Sequence, residues 1–138
     1  MKLRIHTDGG SRGNPGPGAY GFVILDESGE VILDGGKFLG KTTNNEAEYQ
    51  GLIAALETLL GFSRLDKVEA LMIKMDSKLV VEQVLGNWKV KEERLKPFVA
   101  QAQQLLVKLP CPYQLQHVPR AENKLADAKV NQVLDSLE

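Results

Sequence analysis

The sequence predicts an α/β fold, a five-stranded mixed sheet flanked by helices. Three observations predict it. Alternating apolar and polar residues near the N-terminus mark strands joined by turn-forming residues. Apolar residues at helical spacing follow, interleaved with short apolar strands. The resulting order, β-β-β-α-β-α-α-β-α, combines hairpin-linked antiparallel strands with later strand–helix alternation, which favours parallel pairing.

The first strand is read from Leu3 to Asp8, where the side-chain period is two. Gly9 to Gly18, rich in Gly and Pro, predicts a rigid turn region. Residues 20–26 and 31–39 read as two further strands, with Asp26-Glu27-Ser28-Gly29 as the hairpin turn between them. Residues 44–60 read as a helix, and Thr43 with Glu46 has the spacing of a capping box at its start. Residues 68–75 form an apolar strand that ends at Asp76. Ser77 to Leu85 predicts a short helix closed by Gly86. Leu95, Phe98, Val99, Ala102, Leu105, Leu106 and Leu109 follow helical spacing, and Pro110 and Pro112 bracket a break. Residues 113–118 read as the last strand and 123–137 as the last helix.

A chain of 138 residues suits one compact domain, taken as residues 1–138. Its 43% hydrophobic and 25% charged content is ordinary for a soluble globular protein. Cys111 is the only cysteine, which excludes an intramolecular disulfide and a cysteine-rich zinc site. That suits a reducing cytoplasm. The N-terminus lacks an apolar signal core, and no apolar run reaches membrane-spanning length. The expectation is a mature, soluble, cytoplasmic monomer with no membrane partner. The formal charge is −1, from 17 basic and 18 acidic residues. Duplex binders usually carry a basic surplus. Here such binding requires segregated basic residues, or bound cations that offset local carboxylates.

Four acids stand out by position. Asp8 and Asp76 each sit at the carboxyl end of a predicted strand, where open α/β sheets bind their ligands. Glu48 lies one turn before Leu52, at the edge of the helix's apolar stripe. A carboxylate there is costly unless something compensates it. Asp127 lies one turn before Val130 and two before Leu134, so it points partly inward. Each acid alone has an ordinary explanation: a turn, a helix-start charge, a boundary residue. Together they can converge, and converged carboxylates cannot all stay ionised without cations. Magnesium, a hard ion that takes oxygen ligands, answers that need. The glycine-rich stretch lacks a P-loop ending and precedes a strand, which argues against nucleotide binding and against an organic cofactor. A backbone stripped of side chains there can lie close to a sugar–phosphate chain.

The motifs as a set resemble type 1 ribonuclease H. Thr7-Asp8-Gly9-Gly10-Ser11 running into Gly13-Asn14-Pro15-Gly16-Pro17-Gly18 is similar to that family's opening. Thr42-Thr43-Asn44-Asn45-Glu46-Ala47-Glu48 resembles its second motif, and Met75-Asp76-Ser77 its third. His117, Asn123 and Asp127 match the spacing of the fourth. The resemblance implies a ribonuclease H-like fold and hydrolysis of the RNA strand of RNA–DNA hybrids. It implies that Asp8, Glu48, Asp76 and Asp127 hold two Mg2+ ions, with Mn2+ as an alternative. His117 would lie on a mobile loop and aid proton transfer or product release. Asn14, Asn44 and Asn45 would contact the hybrid's minor groove, where 2′-hydroxyls distinguish RNA from DNA. Lys41 and Thr43 would hold a phosphate of the DNA strand. Gly9, Gly10, Ser11, Ser77 and Asn123 complete the implied substrate-binding set.

One departure concerns substrate binding. The basic helical protrusion of well-studied bacterial members is replaced by Gly86-Asn87-Trp88-Lys89-Val90-Lys91-Glu92-Glu93-Arg94, short and mixed in charge. That is similar to a compact branch of the family. Trp88 between basic residues can stack on and attract a DNA strand, or simply cover a helix junction. Two other functions compete: a catalytically silent hybrid-binding module of the same fold, and a metal-dependent regulator without nucleic acid. The four acids weigh against the first, and the asparagines with the Gly-Pro loop against the second.

Overall fold

The computed structural model describes residues 1–137. Its strands are β1 (Lys2–Ser11), β2 (Gly16–Leu25), β3 (Val31–Thr42), β4 (Ala70–Met75) and β5 (Tyr113–His117). Its helices are α1 (Asn44–Leu60), α2 (Lys78–Val84), α3 (Lys96–Val107) and α4 (Lys124–Asp135). The sheet order is β3-β2-β1-β4-β5. β1 to β3 pair antiparallel, and β1, β4 and β5 pair parallel. The expected five-stranded mixed sheet flanked by helices is present. No helix among the described residues is long and apolar enough to cross a membrane.

The largest difference from expectation lies in the glycine-rich stretch. It is mostly strand, not turn: β1 runs on to Ser11 and β2 starts at Gly16, with Ser11 opposite Gly18. Only residues 12–15 form the connection. The glycines serve close packing. A Cβ on Gly9 would meet the Ala47 carbonyl carbon and oxygen of α1 at 2.3 Å. One on Gly18 would meet the Thr42 side chain of β3 at 2.3 Å. β3 likewise extends past residue 39 to Thr42, paired with Gly16. Elsewhere the differences are end effects: β4 begins two residues late, after a 3-10 turn at Leu65–Lys67, and α3 and α4 are shorter at both ends.

The main core lies between the sheet and α1, α2 and α3. Leu3, Ile5, Phe22, Ile24 and Ile73 face Leu52, Leu56, Leu59, Val80, Leu106 and their neighbours. α1 seats directly on β1 at a second glycine, since a Cβ on Gly51 would lie 2.8 Å from the Asp8 carbonyl oxygen. On the opposite face α4 covers β2 through Ala19, Val130 and Leu134. Its backbone also rests on a glycine: a Gly21 Cβ would lie 2.4 Å from the Lys129 Cβ. Lys129 lies along the sheet and pairs with Asp34 at 3.0 Å.

Candidate active site

The parallel ladder between β1 and β4 ends at Thr7 opposite Met75. Asp8 and Asp76 are therefore the next residues of adjacent strands. α1 brings the third acid. Its N-terminus is fixed by Thr43, whose hydroxyl accepts the Glu46 amide at 3.2 Å and donates to the Glu46 carboxylate at 3.0 Å. Gly9 and Gly51 let the helix approach β1, which places Glu48 beside Asp8. One oxygen from each of Asp8, Glu48 and Asp76 lies within 4.8 Å of the others.

These carboxylates are largely withdrawn from solvent. Asp8 and Glu48 are buried, and the Asp76 side chain is 11% exposed. The Gly9 amide donates to Asp8 Oδ1 at 2.9 Å and also to Glu48 Oε1. Glu48 Oε2 is buried and has no hydrogen-bond partner among the described residues. Burial, more than any neighbour, pushes the Asp8 carboxyl up from 3.8 to about 6; the Asp76 charge adds to this, while Glu48 and the Gly9 amide oppose it. Burial and the two neighbouring carboxylates push Glu48 well above its ordinary range. An orphaned buried carboxylate oxygen facing two further acids is the donor set a hard divalent cation takes.

The trio lies in an open cleft of about 480 Å³ that Asp127 also lines, with Gly9, Gly10, Ser11, Asn44, Asn45 and Ser77. Asp127 is half-buried in the first turn of α4 and is not one of the three closest acids. Its carboxylate accepts a hydrogen bond from Asn131 at 3.4 Å. The convergence expected of four acids is thus a tight group of three, with Asp127 lining the same cleft. Ser77 caps α2, accepting the Val80 amide at 3.3 Å.

Asn44 and Asn45 line the cleft, and Asn14 is bonded to Asn44. Asn14 Oδ1 accepts the Asn44 amide at 3.0 Å, and Asn44 Oδ1 accepts the Ser11 amide at 2.9 Å and its hydroxyl at 3.1 Å. The acceptor ends of Asn14 and Asn44 are therefore held by the protein. Their NH₂ groups make no hydrogen bond among the described residues and are available to a ligand. Lys41 is exposed near the end of β3, opposite Pro17.

Three expected roles need correction. Asn123, expected to touch substrate, is fully buried. Its amide is consumed by β1: Nδ2 donates to the Thr7 carbonyl at 2.9 Å and Oδ1 meets His6 Nδ1 at 3.1 Å. The Thr43 hydroxyl is engaged on both sides by the helix start, which leaves Lys41 as the side chain free to meet a phosphate. His117 is not in a loop. It is the last residue of β5, paired with Met75 and exposed, because the parallel ladder continues through it. The sequence reading also missed Arg12 and Arg120, which line the cleft. Arg120 Nε stands 3.8 Å from Asp76 Oδ2. The signal available was only its place between His117 and Asn123.

Trp88 stays partly exposed, at 42%, in a second groove with Asn45, Leu79, Gln83, Lys89 and Lys91. The Lys78 ammonium lies 5.8 Å from its ring centroid. Asn45 lines both this groove and the acidic cleft.

Comparison with known proteins places these features in context. Residues 6–133 match a family described as reverse transcriptase-like. Ribonuclease HI of Halobacterium salinarum is 42% identical over 134 residues, covering 96% of this chain and 65% of that protein. A bifunctional protein of Mycobacterium tuberculosis is 44% identical over 137 residues, covering 99% of this chain and 36% of that protein. The chain thus spans less than two thirds of the length of these relatives. A ribonuclease H1 isolated from compost, solved in complex with an RNA/DNA hybrid, superposes with a TM-score of 0.88 at 41% identity, covering 98% of both chains.

Proposed function

This chain belongs to the type 1 ribonuclease H family, and from that premise we propose that it hydrolyses the RNA strand of RNA–DNA hybrids. The observation that carries the reading is the buried trio of Asp8, Glu48 and Asp76 with the unpartnered Glu48 Oε2. With Asp127 from the same cleft, these residues would hold two divalent cations, Mg2+ or in its place Mn2+. When bound, such a pair supplies Lewis acidity to a phosphodiester and an acidified water as nucleophile. The products carry 5′-phosphate and 3′-hydroxyl ends.

The protein's own groups bind and orient. Gly10 and Ser11 beside the acids leave room for a backbone to enter, while Gly9 lets α1 bring Glu48 to Asp8. The NH₂ groups of Asn14, Asn44 and Asn45 meet minor-groove acceptors and 2′-hydroxyls of the RNA strand. Lys41 meets a phosphate of the DNA strand, and Trp88 stacks along the same strand with Lys78, Lys89 and Lys91 around it. His117, at the end of β5 beside Met75, moves a proton or helps product leave. Residues 1–138 act as one cytoplasmic catalytic domain, as a monomer and with no organic cofactor.

The test is cleavage of labelled hybrid, duplex DNA and duplex RNA, with magnesium and with chelator. Cleavage of the hybrid alone, and only with magnesium, is expected. Hybrid binding without cleavage under any divalent ion would instead make the chain a silent hybrid-binding module.

A further inference from the structure

We propose that His6 and Asn123 form a buried positioning device that sets the distance of Asp127 from the other three acids. The inference rests on Asp127 being a metal ligand, as argued above. Asn123 stands just before α4, and its carbonyl accepts the Asp127 amide at 3.1 Å, so it closes the turn that carries Asp127. Its side chain reaches the other way. Nδ2 donates to the carbonyl of Thr7, the residue before Asp8, at 2.9 Å. One asparagine thereby joins the backbone beside Asp8 to the backbone of Asp127.

The orientation of that amide is determined by its partners. A carbonyl only accepts, so Thr7 fixes Nδ2 toward itself and leaves Oδ1 facing His6. His6 Nδ1, 3.1 Å away, must then carry the proton. Without it, Asn123 Oδ1 would be a buried acceptor with no donor, because Asn123 is fully buried and His6 nearly so. His6 points to the α4 side of the sheet, as Asp8 does, two residues along the same strand. Neither residue lines the cleft, so neither is placed to touch substrate. They act through Asp127, as residues that orient metal ligands commonly do.

The experiment is a double-mutant cycle read by calorimetric titration of Mn2+ into the metal-free protein. His6→Leu removes the donor at nearly constant shape, while His6→Asn puts an amide NH₂ where Nδ1 stands. His6→Leu should weaken Mn2+ binding about tenfold, the low end for groups that orient ligands. His6→Asn should restore most of it. Hybrid affinity in chelator should not change in either. In an Asp127→Asn background, itself weakened, His6→Leu should have no further effect. If Asp127→Asn binds Mn2+ weakly while folded His6→Leu binds like the parent, this inference fails and the ligand reading survives. If Asp127→Asn binds like the parent, both fail. Additive losses in the cycle would also overturn it, because His6 would then act elsewhere. Should His6→Leu not fold, Asn123→Ser enters the same cycle with the same outcomes.

Discussion

The floor and the asparagine wall of the cleft are built on opposite electrostatic logic. Asp8, Glu48 and Asp76 are crowded, the first two are buried, and Glu48 Oε2 has no donor among the described residues, so the floor is poised for a cation. Asn14 and Asn44 are neutral, bonded through their acceptor ends and open at their donor ends, so the wall is complete without any ligand. The difference separates chemistry from recognition. Disturbing the floor should change turnover and leave binding of hybrid largely intact; disturbing the wall should do the reverse.

The largest effect expected is at the floor. Asp8→Asn or Asp76→Asn should lower kcat by on the order of 10²-fold or more, because charge is lost where cations and transition-state charge meet. The same variants should melt higher than the parent without metal, since like-charge repulsion is relieved. Steady-state kinetics and metal-free thermal melts check both halves; unchanged kcat in both variants would erase the contrast. At the wall, Asn44→Ala should raise KM for hybrid about tenfold with kcat near the parent value, as loss of a hydrogen bond to substrate does. A fall confined to kcat would place Asn44 with the floor instead.

The next effect is in pH. The Asp8 carboxyl, pushed from 3.8 up to about 6 in the fold, binds its proton more tightly folded than unfolded. Its contribution to metal-free stability is therefore present below pH 3.8 and lost as pH rises through about 6. His6 runs the other way. Burial lowers its pKa from 6.5, so its contribution is present above that value and lost as pH falls below it. Protons also compete with cations for Asp8, so Mn2+ affinity should drop as pH falls through about 6, while hybrid affinity measured in chelator should lack that step. Calorimetry and fluorescence binding across pH 5–8 compare the two. The smallest effect expected is at Trp88, where Ala should weaken hybrid binding by about 1 kcal/mol, roughly fivefold and the low end for one stacked base, and leave metal binding alone.

Much of this was legible in the sequence. α1 was read to the residue because Thr43 and Glu46 signal its start and the apolar spacing runs unbroken to Leu60. The same spacing exposed Glu48 as a carboxylate at an apolar edge, which is where the structure buries it. The glycine-rich stretch was misread because glycine and proline mark turns locally. Their reason here is distant: Gly9 is small for the sake of Ala47, and Gly18 for the sake of Thr42. Asn123 was misassigned for a related reason. Spacing to Asp127 places it near the site, but only the fold reveals that Thr7 and His6 have already claimed its amide. Arg120 carried no periodic signal at all, since it belongs to a short 3-10 turn.

The central claim, that three clustered carboxylates are arranged for divalent cations, is tested most directly by anomalous diffraction from crystals grown with Mn2+. The account predicts an anomalous peak bonded to Asp8, Glu48 and Asp76, lost in Glu48→Gln crystals or much weakened. Well-ordered carboxylates with no Mn2+ between them, at concentrations that saturate activity, would contradict it.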